Sequence, residues 1–219
     1  ALNVGIVVGG SGSKSMLLRV VGPTLGILGV PGTVADPRLQ LFRSEGGSNV
    51  GINDNDDWGG GSTLTNLFGT LGAFPLQSDL DAALFTTQTP GVYPVVVDTK
   101  GASGVVLVEG YDTQTPTAGG ARFTNVSARS QVGTGGDVLV AGFVVSGTGT
   151  KTLLIRGVGA TLGGFGVAGV LQNPQLVIHK DNGATVVASN DNWNNDATVT
   201  STSQTLGAFA LTSTSDAAL

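Results

Sequence analysis

Short runs of apolar and β-branched residues alternate along the chain with clusters of glycine, proline, asparagine and aspartate. Such runs, bounded by turn-forming residues, are typical of the strands of β-sandwiches and barrels. Helix is predicted only as single turns near 63–68 and 199–203, and residues 22–32 are predicted to form a glycine-rich loop. The pattern predicts an all-β chain with strands at 2–8, 16–21, 38–42, 92–97, 105–111, 122–129, 138–145, 152–158, 175–180 and 185–189.

The chain also contains a long internal repeat, which is the strongest feature of its sequence. Nearly half of the aligned positions are identical between residues 1–84 and residues 138–219, whereas residues 85–137 occur once. The matched positions include Gly5 with Gly142, Lys14 with Lys151, Arg19 with Arg156, Trp58 with Trp193 and Asp81-Ala82-Ala83-Leu84 with Asp216-Ala217-Ala218-Leu219. The alignment also pairs 53–55 with 190–192, which makes Asp56 and Asp57 two extra residues of the first copy.

The repeat predicts two domains of one kind. A repeat of about 135 residues has the size of a domain that buries its own core. Residues 113–120 are rich in threonine, proline and glycine, the composition of a linker. We therefore expect tandem antiparallel β-sandwich repeats, jelly-roll or Ig-like. The first would span 1–112 without its N-terminal strand, and the second would span 121–219 without its C-terminal strands.

Composition narrows the functional classes. Charged residues make up only 11% of the chain, the net charge is −5, and its 10 Lys and Arg form no basic patch, so nucleic acid is not an expected partner. No apolar run approaches the length of about 20 residues that crosses a bilayer, so we expect no membrane insertion. Without cysteine there is no thiol catalysis and no disulfide. The single histidine, His179, is aligned with Phe42, so a catalytic triad would exist only once, and we expect no enzyme.

Two oxygen-rich clusters are candidate calcium sites. Asp54, Asp56 and Asp57 lie in the first copy and Asp191 in the second. Calcium takes six to eight oxygen ligands from adaptable loops, which such clusters supply. The spacing is that of an incomplete calcium loop, because Trp58 occupies the next alternate position. The other interpretation is a turn in which the side chains bond their own backbone.

Tryptophan and arginine also occur at matched positions of the two copies. Trp58 and Trp193, the only tryptophans, follow the acidic clusters. An exposed indole there would stack on a sugar, whereas equivalent positions in both copies favour a common packing role. Arg19 and Arg156 lie inside apolar strands, and we expect each to pair with a carboxylate of its own copy, Asp81 or Asp216.

The ordered strings from residue 122 onward resemble a glycine-rich repeat of large secreted or cell-surface bacterial proteins, and the ending of the chain resembles the β-sandwich that follows secreted bacterial peptidases. The strings at 90–93 and 104–112 match those that close the repeat in that family. The strings that carry the resemblance are 122–129, 142–144, 161–162, 190–193, 207–209 and 216–219, together with Lys151 and Arg156. The resemblance implies an exported, non-catalytic module that is extracellular or on the cell surface.

We therefore expect a structural subunit or module of a bacterial surface protein or filament. Unfinished sandwiches expose sheet edges, and exposed edges recruit strands, so copies of the chain are the expected partner and assembly is expected to run head to tail. Because residues 85–137 occur once for two copies of the other segment, exchange among identical chains does not complete every sandwich. The alternative is an adhesive, carbohydrate-binding module with glycans as partners.

Overall fold

The computed structural model describes residues 2–114, 117–180 and 183–219. These residues are mostly β, in several antiparallel sheets that are compatible with a β-sandwich. The strands are β1 (Asn3–Gly9), β2 (Lys14–Val21), β3 (Arg38–Glu45), β4 (Ser48–Asn55), β5 (Ala82–Gln88), β6 (Gly91–Asp98), β7 (Leu107–Asp112), β8 (Arg122–Arg129), β9 (Arg156–Gly157), β10 (Leu176–Lys180), β11 (Thr185–Asn190) and β12 (Ala217–Ala218). The helices are α1 (Pro23–Ile27), α2 (Ser62–Leu71), α3 (Ala160–Gly163) and α4 (Ala197–Thr205).

The chain divides into two compact units, Ala1–Ala141 and Gly142–Leu219. In the first unit a five-stranded sheet, in the order β4-β3-β6-β1-β8, faces a three-stranded sheet, in the order β5-β2-β7. Apolar side chains of both sheets form the core, among them Ile6, Met16, Leu18, Leu41 and Val95. They lie at alternate positions of their strands because successive side chains point to opposite faces.

Strand β2 is buried on both faces. Met16 and Leu18 point into the core between the sheets, whereas Leu17 and Val21 pack on the other side against Phe68 of α2. Helix α2 therefore covers the outer face of the three-stranded sheet. Because both faces of β2 are covered, its residues 16–21 are apolar on both sides, with Arg19 as the one interruption, rather than alternating with polar residues.

Strand β8 belongs to the sheet of the first unit. It pairs antiparallel with β1, from Asn3 opposite Arg129 to Gly9 opposite Arg122, with a bulge between Val7 and Val8. The division of the chain therefore lies after residue 141 rather than at 113–120, because β8 occupies the edge of β1 that would otherwise be open. Residues 115–116 of the predicted linker lie outside the described residues.

The second unit is smaller. It contains the β10–β11 hairpin, the short β9–β12 pair and a core of Trp193, Leu211 and Ala218. The predicted strand at 138–145 does not form, and only Arg156–Gly157 of the predicted strand at 152–158 does. The physical reason is the lack of partners, because no described strand pairs with residues 142–154. The other predicted strands are confirmed, while β4 and β5 were not predicted, and the predicted helical turns are longer helices, α2 and α4.

A buried carboxylate organises the corresponding loops of both units. Asp81 accepts hydrogen bonds from Gly22 N at 2.8 Å and from the Thr24 hydroxyl. Asp216 accepts the same bonds from Gly159 N at 2.7 Å and from the Thr161 hydroxyl. Glycine is required two residues before each threonine. A Cβ at Gly22 would collide with the carbonyl oxygen of Val34, and a Cβ at Gly159 would collide with the carbonyl oxygen of Leu171.

The hydrogen bonds correct the alignment of the acidic segments. Asn55 Oδ1 accepts from Ala83 N at 2.9 Å, and Asn190 Oδ1 accepts from Ala218 N at 2.9 Å. Asn55 is therefore the counterpart of Asn190, and Asp191 corresponds to Asp56 rather than to Asp54. The two extra residues of the first copy lie before Asn55, in the β3–β4 hairpin.

Met16 and Leu153 provide a matched test of how deeply the two units bury equivalent positions. Met16 is fully buried, whereas its counterpart Leu153 is 40% exposed. Met16→Ala is expected to lower the free energy of unfolding by about 2–5 kcal/mol because it leaves a cavity in the core. Leu153→Ala is expected to change it by about 0.5 kcal/mol or less. Urea unfolding of the whole chain measures both values, and equal losses would contradict the structure.

Candidate functional site

The side chain of Arg19 is fully buried in the outer layer of the first unit. Its Nε donates to Glu109 Oε2 at 2.8 Å, and its Nη1 donates to the Phe74 carbonyl at 2.7 Å. The guanidinium also lies over the ring of Phe68, at 4.8 Å from the centroid. A buried charge is tolerated only when it is paired and hydrogen-bonded, and Glu109 of β7 supplies that pairing. The prediction that Arg19 pairs with Asp81 is wrong, because the Asp81 carboxylate accepts hydrogen bonds from Gly22 N and the Thr24 hydroxyl instead.

Tyr111 completes the surroundings of Arg19. Its hydroxyl donates to Glu109 Oε1 at 2.7 Å. Burial, and then this hydrogen bond to a carboxylate, raises the pKa of Tyr111 to about 12. Strand β7 therefore brings a carboxylate and its neutral phenol donor to β2 from far along the sequence.

Arg156, the counterpart of Arg19, has no ion pair within the part of the chain that the structure describes. Its Nη1 donates to the Phe209 carbonyl at 2.7 Å, and its guanidinium lies 4.4 Å from the Phe209 ring centroid. Desolvation by burial lowers the pKa of Arg156, and the more distant charge of Asp216 only partly opposes this. Phe209 thus gives Arg156 the carbonyl and ring contacts that Phe74 gives Arg19, whose guanidinium lies 4.5 Å from the Phe74 ring centroid. The carboxylate and the Phe68 ring have no equivalent beside Arg156 among the described residues.

The lysines at the start of the two segments differ in the same way. Lys14 is buried, and its Nζ lies 2.6 Å from Asp112 Oδ1 of β7. Lys151 is exposed and makes no ion pair with any described residue. Strand β7 neutralises both charged residues in the first unit. Among the described residues, no carboxylate neutralises their counterparts in the second unit.

Residues 142–154, here called the open segment, make no backbone–backbone hydrogen bond to another described residue. Phe143 and Val145 are 58% and 55% exposed, whereas their counterparts Ile6 and Val8 are 3% and 2% exposed. Val144 is 94% exposed. An apolar segment with free backbone donors and acceptors is able to add to another strand.

The aspartates proposed as calcium ligands are not gathered into one site. Asp56 and Asp57 lie near Asp36, whose role the sequence did not indicate. Asp54 is bound to Arg38, with Nη2 to Oδ2 at 2.6 Å, and Asp191 is exposed in the other unit. The cluster holds an ammonium group, because Lys100 Nζ lies 2.6 Å from Asp36 and 2.8 Å from Asp56.

The electrostatics of this cluster are those of an ion pair. Hydrogen bonds to Asp36 and then Asp56 raise the pKa of Lys100 to about 12. Lys100 is therefore charged at neutral pH and supplies the positive charge that a bound cation would bring. Asp36 Oδ1 has no hydrogen-bond partner in the described chain, but the residue is only partly buried.

The two tryptophans fasten loops in both units. Trp58 Nε1 donates to the Ser78 carbonyl at 2.8 Å, and Trp193 Nε1 donates to the Ser213 carbonyl at 2.7 Å. Trp193 is buried, while Trp58 is partly buried and packs against Phe68 with 5.4 Å between the ring centroids. These contacts use the polar edge of each indole within the protein rather than presenting it to a ligand.

Comparison of the chain with known protein families, with curated proteins and with solved structures finds no match. Among the described residues, no helix is both long enough and apolar enough to cross a membrane. A function for the chain is therefore inferred from the arrangement of its own residues.

Removing the charge of Glu109 tests the buried pair. Glu109→Gln leaves the buried Arg19 without a counter-charge, and we expect it to lower the free energy of unfolding by about 3 kcal/mol. Asp54→Asn is the control, because it breaks the exposed Arg38 pair, and it is expected to have little effect. Chemical denaturation compares the two variants, and a Glu109→Gln protein as stable as the control would contradict the role of the pair.

Calcium addition tests the acidic cluster. Because Lys100 already bridges Asp36 and Asp56, we expect millimolar calcium to leave the melting temperature of the native chain unchanged. Lys100→Gln removes the bridging charge and is the control, in which any latent affinity of the cluster for calcium would be detected. Differential scanning calorimetry measures both proteins, and a calcium-dependent rise in the native chain would contradict this expectation.

Proposed function

We propose that the chain is a non-catalytic structural module of a bacterial extracellular surface protein or filament. It consists of tandem β-sandwich repeats of about 135 residues, and it joins further repeats on other chains by strand complementation. The observation that carries the proposal is the open segment, whose counterpart in the first unit is built into two sheets.

The first unit provides the template for such complementation. Strand β8 is the last strand of the first unit in sequence, yet it pairs with β1, the first of them. It covers the edge of β1 that would otherwise be open. The first unit therefore supports a mode of assembly in which an open strand edge is covered by a strand from far along the sequence.

The exposed side chains of the open segment support the same proposal. Phe143, Val144 and Val145 are each more than half exposed. In the first unit the matching residues lie in β1, which is flanked by β6 and β8. An exposed apolar segment with unpaired backbone is an aggregation hazard in a monomer, and an assembly that covers it removes the hazard.

The low charge of the chain also favours contact with copies of itself. Charged residues make up 11% of the sequence, and its net charge is only −5. Repulsion between copies is therefore weak, since net charge far from zero is what keeps proteins apart. A contact between the open edge of one copy and a strand of the next joins unlike surfaces, which extends head to tail.

Val144→Lys tests the proposal because a lysine on an open strand opposes edge pairing. We expect the native chain to form larger species as its concentration rises, and the Val144→Lys chain to remain smaller under the same conditions. Val92→Lys is the matched control, since Val92 is 44% exposed but lies on β6, between β3 and β1. Analytical ultracentrifugation and negative-stain microscopy provide the measurements.

A native chain that is strictly monomeric at every concentration would overturn the proposed function. Equal assembly of the native and Val144→Lys chains would assign the association to another surface. The Val92→Lys control is expected to assemble as the native chain does.

A further inference from the structure

We propose that the free edge of β9 binds an antiparallel strand with the side-chain pattern of Leu107–Asp112, whose glutamate pairs with Arg156. The occupant is a strand of this repeat type that carries the Leu107–Asp112 side chains, and a peptide with these residues reproduces its chemistry. The inference rests on the proposed function and specifies the partner strand and the charges that select it.

One edge of β9 is already paired as the first unit predicts. Ala218 lies opposite Arg156, as Ala83 lies opposite Arg19 between β5 and β2. Ile155 extends this pairing through two hydrogen bonds of 2.9 Å with Leu219. The backbone around Arg156 therefore has the alignment of β2, and its second edge is ready for a further strand.

The second edge of β2 carries β7 in the first unit. Arg19 lies opposite Glu109, Leu18 opposite Gly110 and Val20 opposite Val108. In the described residues of the second unit no strand occupies the corresponding edge, since β9 pairs only with β12. The position that is empty in the second unit is therefore the position of β7.

Arg156 selects the chemistry of the missing strand. Its carbonyl and aromatic contacts through Phe209 match those that Arg19 makes with Phe74. The carboxylate and the Tyr111 ring, in contrast, come to Arg19 from β7, outside the segment. Burial already disfavours the charged guanidinium. A glutamate placed as Glu109 is placed would restore the counter-charge, with a geometry that the first unit shows to be accessible.

Lys151 adds a second selective charge. In the first unit Lys14 binds Asp112, three residues after the glutamate that binds Arg19. A strand with both carboxylates satisfies Arg156 and Lys151 together only in one register. The two acids are three residues apart and therefore project from opposite faces of the strand, as Arg19 and Lys14 do on β2. A slip by one residue would turn each acid away from its partner, so the two pairs fix the register as well as the identity of the strand.

The Lys100 cluster and the shallow groove over β3 and β4 do not compete with this inference. Lys100 already neutralises its carboxylates, and the groove holds no buried unpaired charge among its lining residues. Arg156 and Lys151 are described charged groups whose contacts are incomplete by direct comparison with counterparts in the same chain.

A labelled synthetic peptide of residues 103–114, titrated with the full chain and followed by fluorescence anisotropy, tests the inference. We expect the native peptide to bind, and a peptide with Glu109→Gln to bind at least about tenfold more weakly. Arg156→Met in the protein is expected to weaken the native peptide by a similar factor. The two changes together are expected to be no worse than either alone, because both remove one pair.

The controls separate charge pairing from folding and from net charge. Arg129→Met removes an exposed arginine of β8 and is expected to leave peptide binding unchanged. The Glu109→Gln peptide tests the pair without altering the protein, so it remains decisive even where Arg156→Met perturbs the fold. The circular dichroism spectrum of each protein variant checks its folding.

Each outcome decides the inference. Binding of the native peptide supports it if each single change weakens binding about tenfold and the two changes together weaken it no further. Equal binding of the native and Glu109→Gln peptides overturns it while leaving strand addition, and with it the proposed function, intact. A native peptide that does not bind also overturns it, and the concentration-dependent assembly of the native and Val144→Lys chains then decides the proposed function separately.

Discussion

The burial of the Arg19 guanidinium is the constraint on which the first unit depends. A fully buried charge requires a counter-charge and hydrogen-bond acceptors, and Glu109 and the Phe74 carbonyl provide them. Glu109 lies 90 residues further along the chain. The outer layer is therefore complete only when β7 has been placed beside β2, with α2 closing over the arginine.

Comparison of the two units shows which contacts the repeated segment forms within itself and which contacts other strands supply. The contacts made within residues 138–219 recur, including the carboxylate of Asp216, the indole bond of Trp193 and the pairing of Arg156 with Ala218. The contacts that residues 85–137 supply in the first unit are those that the second lacks. Within the described residues, the unpaired Arg156, the exposed Lys151 and the open segment share one feature, since no strands like those of residues 85–137 lie beside them.

Sequence patterns predicted most strands but not their partners. Alternation and turn residues locate β1, β2 and β8, because these signals are local. The pairing of β8 with β1 and the ion pair of Arg19 with Glu109 join residues far apart, and no periodicity encodes them. The alignment error had another source, since repeated Asn and Asp letters fit two registers, and only the hydrogen bond of Asn55 distinguishes them. Of the predicted calcium ligands, Asp56 and Asp57 do lie together, but Asp36 and Lys100 carry no local signal.

Backbone hydrogen exchange across the open segment, residues 142–154, measured at low and high protein concentration, tests the central claim most directly. The account predicts fast exchange in the dilute chain and strong protection in the concentrated one, because added strands would bind the free amides of the open segment. Protection of β1 and β2 is predicted to stay constant as the internal reference. Fast exchange of residues 142–154 at every concentration in an assembled sample would contradict the account, since the copies would then be joined without covering the open segment.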